Sequence, residues 1–160
     1  MQEPYFCING SMKIESEIQQ TAFRNEFQKV TINLLFSSSW VLEKIRLVLE
    51  KAGITPQQYN ILRIIKGSPK PLSTLQIRER MIDKMSDTSR IVERLMRKGL
   101  VNKVVCPHDK RLVDITLTKE GDDLLQKMQN SNEELDVIAT SLTVEEAKTL
   151  NMLLDKLREA

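Results

Sequence analysis

The stretch from Met85 to Val101, MSDTSRIVERLMRKGLV, places Ser86, Asp87, Thr88 and Ser89 just ahead of Arg90, Arg94 and Arg97. Those residue types suit the recognition of a polyanion. A guanidinium fork matches the paired acceptors on a guanine edge, or a phosphate. Short hydroxyl side chains at the start of a helix let its backbone approach a groove closely, and the helix N-terminus favours anions. Little else in the chain suggests chemistry. There is one histidine, His108, and there are two cysteines, Cys7 and Cys106. We see no Gly-rich phosphate loop, no Cys-x-x-Cys pair and no partner set for a catalytic triad. A lone histidine is too few for a histidine-rich metal site. The expectation is a protein that is not an enzyme and that carries no cofactor and no metal.

The charge distribution sharpens this reading. The formal net charge is only +2, but residues 60–111 hold 13 basic and 5 acidic side chains, net +8. Residues 1–59 balance to 0, and residues 112–160 carry −6. One basic block within a nearly neutral chain is the footprint of a region that meets a polyanion.

The rest of the chain must position that block. With 41% hydrophobic and 29% charged residues, and only five Gly and five Pro, it reads as a mostly helical globular protein. Residues 1–12 show no periodicity and read as a flexible extension. From Ile14 to about Lys51 the pattern is helical, with Phe23, Phe27, Val30 and Leu34 on one face and a kink expected at Ser37–Ser39. Gly53 is placed to stop it. Thr55-Pro56-Gln57-Gln58 and Ser73-Thr74-Leu75-Gln76 are capping boxes that open a helix to about Lys66 and a short one to Arg80 or Ile82. Ser86 is expected to cap the quoted helix, which Gly99 ends. Val101–Val105 and Leu112–Thr116 then read as two strands joined through Cys106-Pro107-His108-Asp109-Lys110-Arg111, a hairpin with a basic tip. Thr118 caps a helix over about 119–138, and Thr143-Val144-Glu145-Glu146 opens the last one, about 144–158.

Short helix, turn, helix and basic hairpin together describe a winged helix-turn-helix. The fold class is mainly α with a small β-hairpin wing. A DNA-binding lobe over 54–118 is flanked by a helical dimerisation region, 13–53 and 119–160. In this arrangement the quoted helix enters the major groove, the helix before it braces it, and the hairpin reaches phosphates or the minor groove. The candidate DNA-binding residues are Ser73, Thr74, Ser86, Asp87, Thr88, Ser89, Arg90, Arg94, Arg97, His108, Lys110 and Arg111. A purely solvated face is the default for exposed arginines, but the caps, the hairpin and the basic block coincide here. The competing reading is a winged-helix module that binds protein and not DNA.

At this point the sequence resembles the MarR family of bacterial transcription regulators. TPQQYNILRII, LSTLQIRERM, SRIVERLMRKGLV and HDKRLVDITLTKEG carry the resemblance, which extends over about residues 13–158. It implies a homodimer formed by the first and last helices, a pseudo-palindromic operator in double-stranded DNA, and repression relieved by a small ligand or an oxidant. It also puts Arg111 where the family inserts an arginine into the minor groove, and Asp109 where an acid orients the wing. Lys110 stands where arginine is more usual, and the Met81–Met85 turn departs from the tighter one of many members. The start of the reading helix is therefore open between Met85 and Asp87.

Phe23, Phe27 and Val30, and likewise Leu150, Leu153, Leu154 and Leu157, are expected to join two chains. Phe36, Trp40 and Tyr59 are core residues or the lining of an effector crevice. Cys7 and Cys106 read as free thiols, with oxidant sensing by either left open. No apolar run is long enough to cross a membrane and no signal-peptide pattern is present, so the expected location is the cytoplasm.

Overall fold

The computed structural model describes residues 13–106, 109–129 and 136–159. The extension at 1–12, Cys7 and His108 lie outside them, as does part of the helix expected over 119–138. Cys106, Asp109, Lys110 and Arg111 are placed by their backbone alone. Two compact units divide at Val41 and Leu42.

The first unit holds α1 (Ile14–Glu17) and most of α2 (Glu26–Glu50). A continuous helix from Ile14 was expected, but residues 18–25 are not helical and Gln19 takes φ 53°. Asn25 opens α2, its side-chain oxygen accepting the Gln28 N–H at 2.9 Å, while Gln28 Oε1 accepts the Arg24 N–H at 2.6 Å. Asn followed by Gln three residues on is a helix-start signal. The apolar spacing through Phe23 masked it. Phe23 therefore lies ahead of the helix and not on its stripe; the Lys29 ammonium stands 5.7 Å from its ring centre. Lys29 also pairs with Glu15 at 2.6 Å. The expected kink at Ser37–Ser39 does not interrupt the helix, which runs through all three serines.

The second unit contains the rest of α2, then α3 (Pro56–Lys66), α4 (Thr74–Arg80), α5 (Thr88–Arg97), β1 (Val101–Cys106), β2 (Asp109–Leu117), α6 (Lys119–Gln129), a 3-10 turn at Val137–Ala139 and α7 (Val144–Leu157). The capping boxes at Thr55, Ser73 and Thr143 are all formed. One core runs through the unit. Leu49, Ile61, Leu62, Ile77, Met81, Val92, Leu95 and Ile115 are its deepest members, and Leu125 and Met128 bring α6 into it.

The hairpin is longer than the sequence suggested. β1 and β2 pair antiparallel from Val101↔Leu117 to Val105↔Val113, and the register then jumps to Cys106↔Asp109. Asp109, Lys110 and Arg111, expected in the connecting tip, belong to β2, with Lys110 and Arg111 between two paired positions. A bridge the sequence did not announce joins Leu72 to Ile115 through both N–H···O bonds, 3.2 and 2.9 Å. It anchors the base of the wing to the residue before the α4 cap.

Two glycines explain the stretch between α5 and α6. Gly99 takes φ +69°, a left-handed geometry that ends α5, and the Leu100 N–H reaches back to the Leu95 carbonyl at 3.0 Å. Gly121 sits against the Leu100 backbone so closely that a Cβ there would lie 2.1 Å from the Leu100 oxygen. Thr118 closes the junction: its hydroxyl donates to the Gly99 carbonyl at 2.7 Å and accepts the Gly121 N–H at 3.0 Å.

Candidate nucleic-acid interface

α5 is held by its inner face. Thr88, Val92 and Leu95 are buried, and Ile91 packs at their edge. Ser89, Arg90, Glu93, Arg94 and Arg97 are exposed. Thr88 corrects an expectation: it was a candidate base-contacting hydroxyl, but it is 3% exposed and turned to the core. The helical period puts it one turn from Val92 and two from Leu95, and that stripe is the buried one.

The start of α5 is also corrected. The cap is Asp87 and not Ser86. Asp87 Oδ1 accepts the Arg90 N–H at 3.2 Å, and Asp87 Oδ2 pairs with Arg90 Nε at 3.1 Å. Ser86 belongs to the preceding turn, where its hydroxyl donates to Asp83 Oδ2 at 2.6 Å. The other Asp83 oxygen accepts the Met85 N–H at 3.0 Å. These bonds, the Ser86 hydroxyl first, lower the pKa of the Asp83 carboxyl below the ordinary aspartate value. Ile82 N–H donates to Asn60 Oδ1 at 3.0 Å, tying the same turn to α3.

Two open grooves flank the first turn of α5. One, about 460 Å³, lies against Thr74, Leu75 and Arg78 of α4. The other, about 350 Å³, lies against Thr55, Gln57 and Gln58 at the start of α3 and is rimmed by Arg90 and Arg94. Ser73 is spent on its capping box, where its hydroxyl oxygen accepts the Gln76 N–H at 3.2 Å.

Not all of the basic block faces outward for a ligand. Lys98 folds back onto the Gly53 carbonyl and onto Gln58 Oε1, the latter at 3.2 Å. Lys84 donates to the Glu79 carbonyl, and Lys66 pairs with Asp122. These three lysines are structural ties, which a count of charge along the chain does not distinguish from contacts. Gln58 is the converse: it is buried, it completes the Thr55 box, and it receives Lys98. Among the described residues, no buried side-chain polar atom lacks a partner, no cluster of three or more His, Cys, Asp and Glu is arranged for a metal, and no helix is long and apolar enough to cross a membrane.

Of the expected dimer residues, Phe27 is 84% exposed, and Val30, Leu150, Leu153 and Leu157 are about half exposed or close to it. Leu154 is partly covered. Phe36 and Trp40 lie in the first unit and Tyr59 in the second.

The geometry is that of a helix presented for insertion, beside a basic hairpin. Comparison with known proteins agrees. The pattern of a family described as the MarR family matches residues 52–112. The HTH-type transcriptional repressor MdtR of Bacillus subtilis (strain 168) is 30% identical over 115 residues, which is 72% of this chain and 66% of that protein. The homoprotocatechuate degradative operon repressor of Escherichia coli is 30% identical over 128 residues, 79% of this chain and 86% of that one. In fold, the chain resembles a mutant MarR of Escherichia coli solved in complex with operator DNA. The TM-score is 0.74 at 23% identity, over 86% of this chain and 99% of that chain.

Proposed function

The chain belongs to the MarR family of DNA-binding transcription regulators, and we propose that it acts as a homodimeric repressor on a pseudo-palindromic operator. The observation that carries this reading is α5 itself: an inner face locked in the core, a cap at Asp87, and Arg90, Arg94 and Arg97 on the outward side. The two relatives described above are both named repressors.

In this reading α5 lies in the major groove, with Ser89, Arg90 and Arg94 facing base edges. Thr74, at the start of α4, and Arg97 face the flanking backbone, and Ser86, whose hydroxyl proton is given to Asp83, faces an amino group on a base edge. Arg111 enters the minor groove from the wing, oriented by Asp109, and Lys110 and His108 contact phosphate. Two copies place their reading helices about one helical turn apart on the duplex.

The exposed apolar side chains on α2 and α7 support the dimer, because leaving them in water costs about 25 cal/mol for each Å² that a partner would cover. A small-molecule effector, or oxidation at Cys7 or Cys106, would release the operator by changing the spacing of the two readers. The protein works where the DNA is, in the cytoplasm.

The test is a shift titration of DNA upstream of the protein's own gene at several salt concentrations. Specific binding with a steep salt dependence is expected. Arg90→Ala relaxes the sequence requirement at one or two base pairs, whereas Arg111→Ala weakens binding to all sequences and lowers the salt slope by about 1. Absence of binding even at low salt would return the chain to the protein-interaction reading.

A further inference from the structure

The turn between α4 and α5 presents apolar surface where the proposed DNA contact begins. Met85 is 93% exposed, and Leu75, on the first turn of α4, is 62% exposed. Both line the same open groove of about 460 Å³, together with Arg78, Ser86, Asp87 and Ser89. This exposure is not slackness in the turn. Asp83 holds the Met85 N–H with one oxygen and the Ser86 hydroxyl with the other, and Asn60 holds Ile82 from α3. The backbone is thus bonded into a shape that leaves the Met85 side chain standing outward, one residue before Ser86 and two before the cap of α5.

We propose that Met85 and Leu75 read thymine through its 5-methyl group, making them specificity-determining residues; this rests on the DNA-binding reading above. The occupant follows from the surroundings. The groove lies against the first turn of α5; Arg78 and Asp87 line it, Arg90 pairs with Asp87, and Arg90 and Arg94 rim the neighbouring groove on the other side of that turn, so the face as a whole is net positive and a polyanion is the partner that fits. The apolar feature that duplex DNA offers in its major groove is the thymine methyl, and unbranched methionine adapts its shape to such a contact. The bonds that position Met85 also direct the Ser86 hydroxyl proton to Asp83, so Ser86 meets DNA through its oxygen as an acceptor.

The experiment uses the full chain and an operator selected from a pool of random double-stranded DNA. Each thymine is replaced in turn by deoxyuridine, which keeps every hydrogen-bonding group and removes only the methyl. Affinity is read by fluorescence anisotropy. The expected result is a loss of about four-fold at one or two positions in each half-site, the factor for one methyl group returned to water. Met85→Ala or Leu75→Ala removes that difference while binding to the deoxyuridine operator stays nearly unchanged. Both side chains are exposed, so neither alanine variant is expected to disturb folding, which circular dichroism checks. If no thymine is sensitive in the original protein, or the sensitivity survives in both variants, the inference is overturned while DNA recognition stands. A pool that yields no enriched sequence overturns the DNA-binding reading, and this inference with it.

Discussion

The Asp87 carboxylate touches Arg90 twice: Oδ1 accepts its backbone N–H at 3.2 Å and Oδ2 pairs with its Nε at 3.1 Å. One side chain both starts α5 and restrains the first arginine on its outward side. The pair is exposed, so its charge interaction is weak as a source of stability. Its effect is geometric: it limits the rotamers open to the Arg90 side chain on the outward side of α5.

That double role separates in two variants. Asp87→Asn keeps an acceptor for the cap and loses the charge pair; stability should be nearly unchanged while discrimination between operators shifts. Asp87→Ala loses both and should cost about 1 kcal/mol. Urea unfolding and competition binding measure the two effects. Equal behaviour of the variants in both assays would contradict the assignment.

Lys98 tests the distinction between charge that binds and charge that builds. Lys98→Ala removes the ties to Gly53 and Gln58. The expectation is a loss of about 1 kcal/mol in unfolding free energy, with the salt slope of DNA binding unchanged. A reduced slope would mean that Lys98 leaves Gln58 for a phosphate.

Gly121→Ala is expected to be far more damaging than an ordinary helix substitution. An interior Gly→Ala in a helix normally adds stability, but here the new Cβ meets the Leu100 carbonyl, a backbone atom that also accepts the Thr118 N–H. A destabilisation of about 3 kcal/mol follows from overpacking against backbone, visible in thermal unfolding. Unchanged or raised stability would show that the junction yields.

Acid should affect the turn before α5 only at low pH. The Asp83 pKa is lowered, so its contribution is present above the unfolded-state value and is lost as pH falls through the folded one. DNA binding between pH 6 and 8 should therefore be insensitive to this group. Carbon-detected NMR titration of the Asp83 carboxyl reads it directly, and in Ser86→Ala the midpoint should move up. A midpoint that does not respond to that substitution rules out the Ser86 hydroxyl as the main cause.

Leu153, 52% exposed on α7, is the probe for association. Leu153→Asp should convert a dimer to monomer in sedimentation velocity and weaken operator binding more than ten-fold, because two half-sites no longer share one ligand. Its own stability should barely change if no second copy covers it.

Much of this protein is legible in its sequence. Thr55, Ser73 and Thr143 announced their helices because a capping box closes within four residues, and local bonds need little of the tertiary structure to form. The basic block, the hairpin and Gly99 were visible for the same reason. The local signal misled where two local rules competed: the apolar spacing of Phe23 and Phe27 concealed the Asn25 start of α2, and Ser86 looked as good a cap as Asp87 until Asp83 claimed its hydroxyl. Only the tertiary structure decided the long-range matters. It joined Leu72 to Ile115, folded Lys98 onto the α2–α3 junction and pressed Gly121 against Leu100. Each depends on which segments pack together, and a linear pattern of residue types does not carry that information.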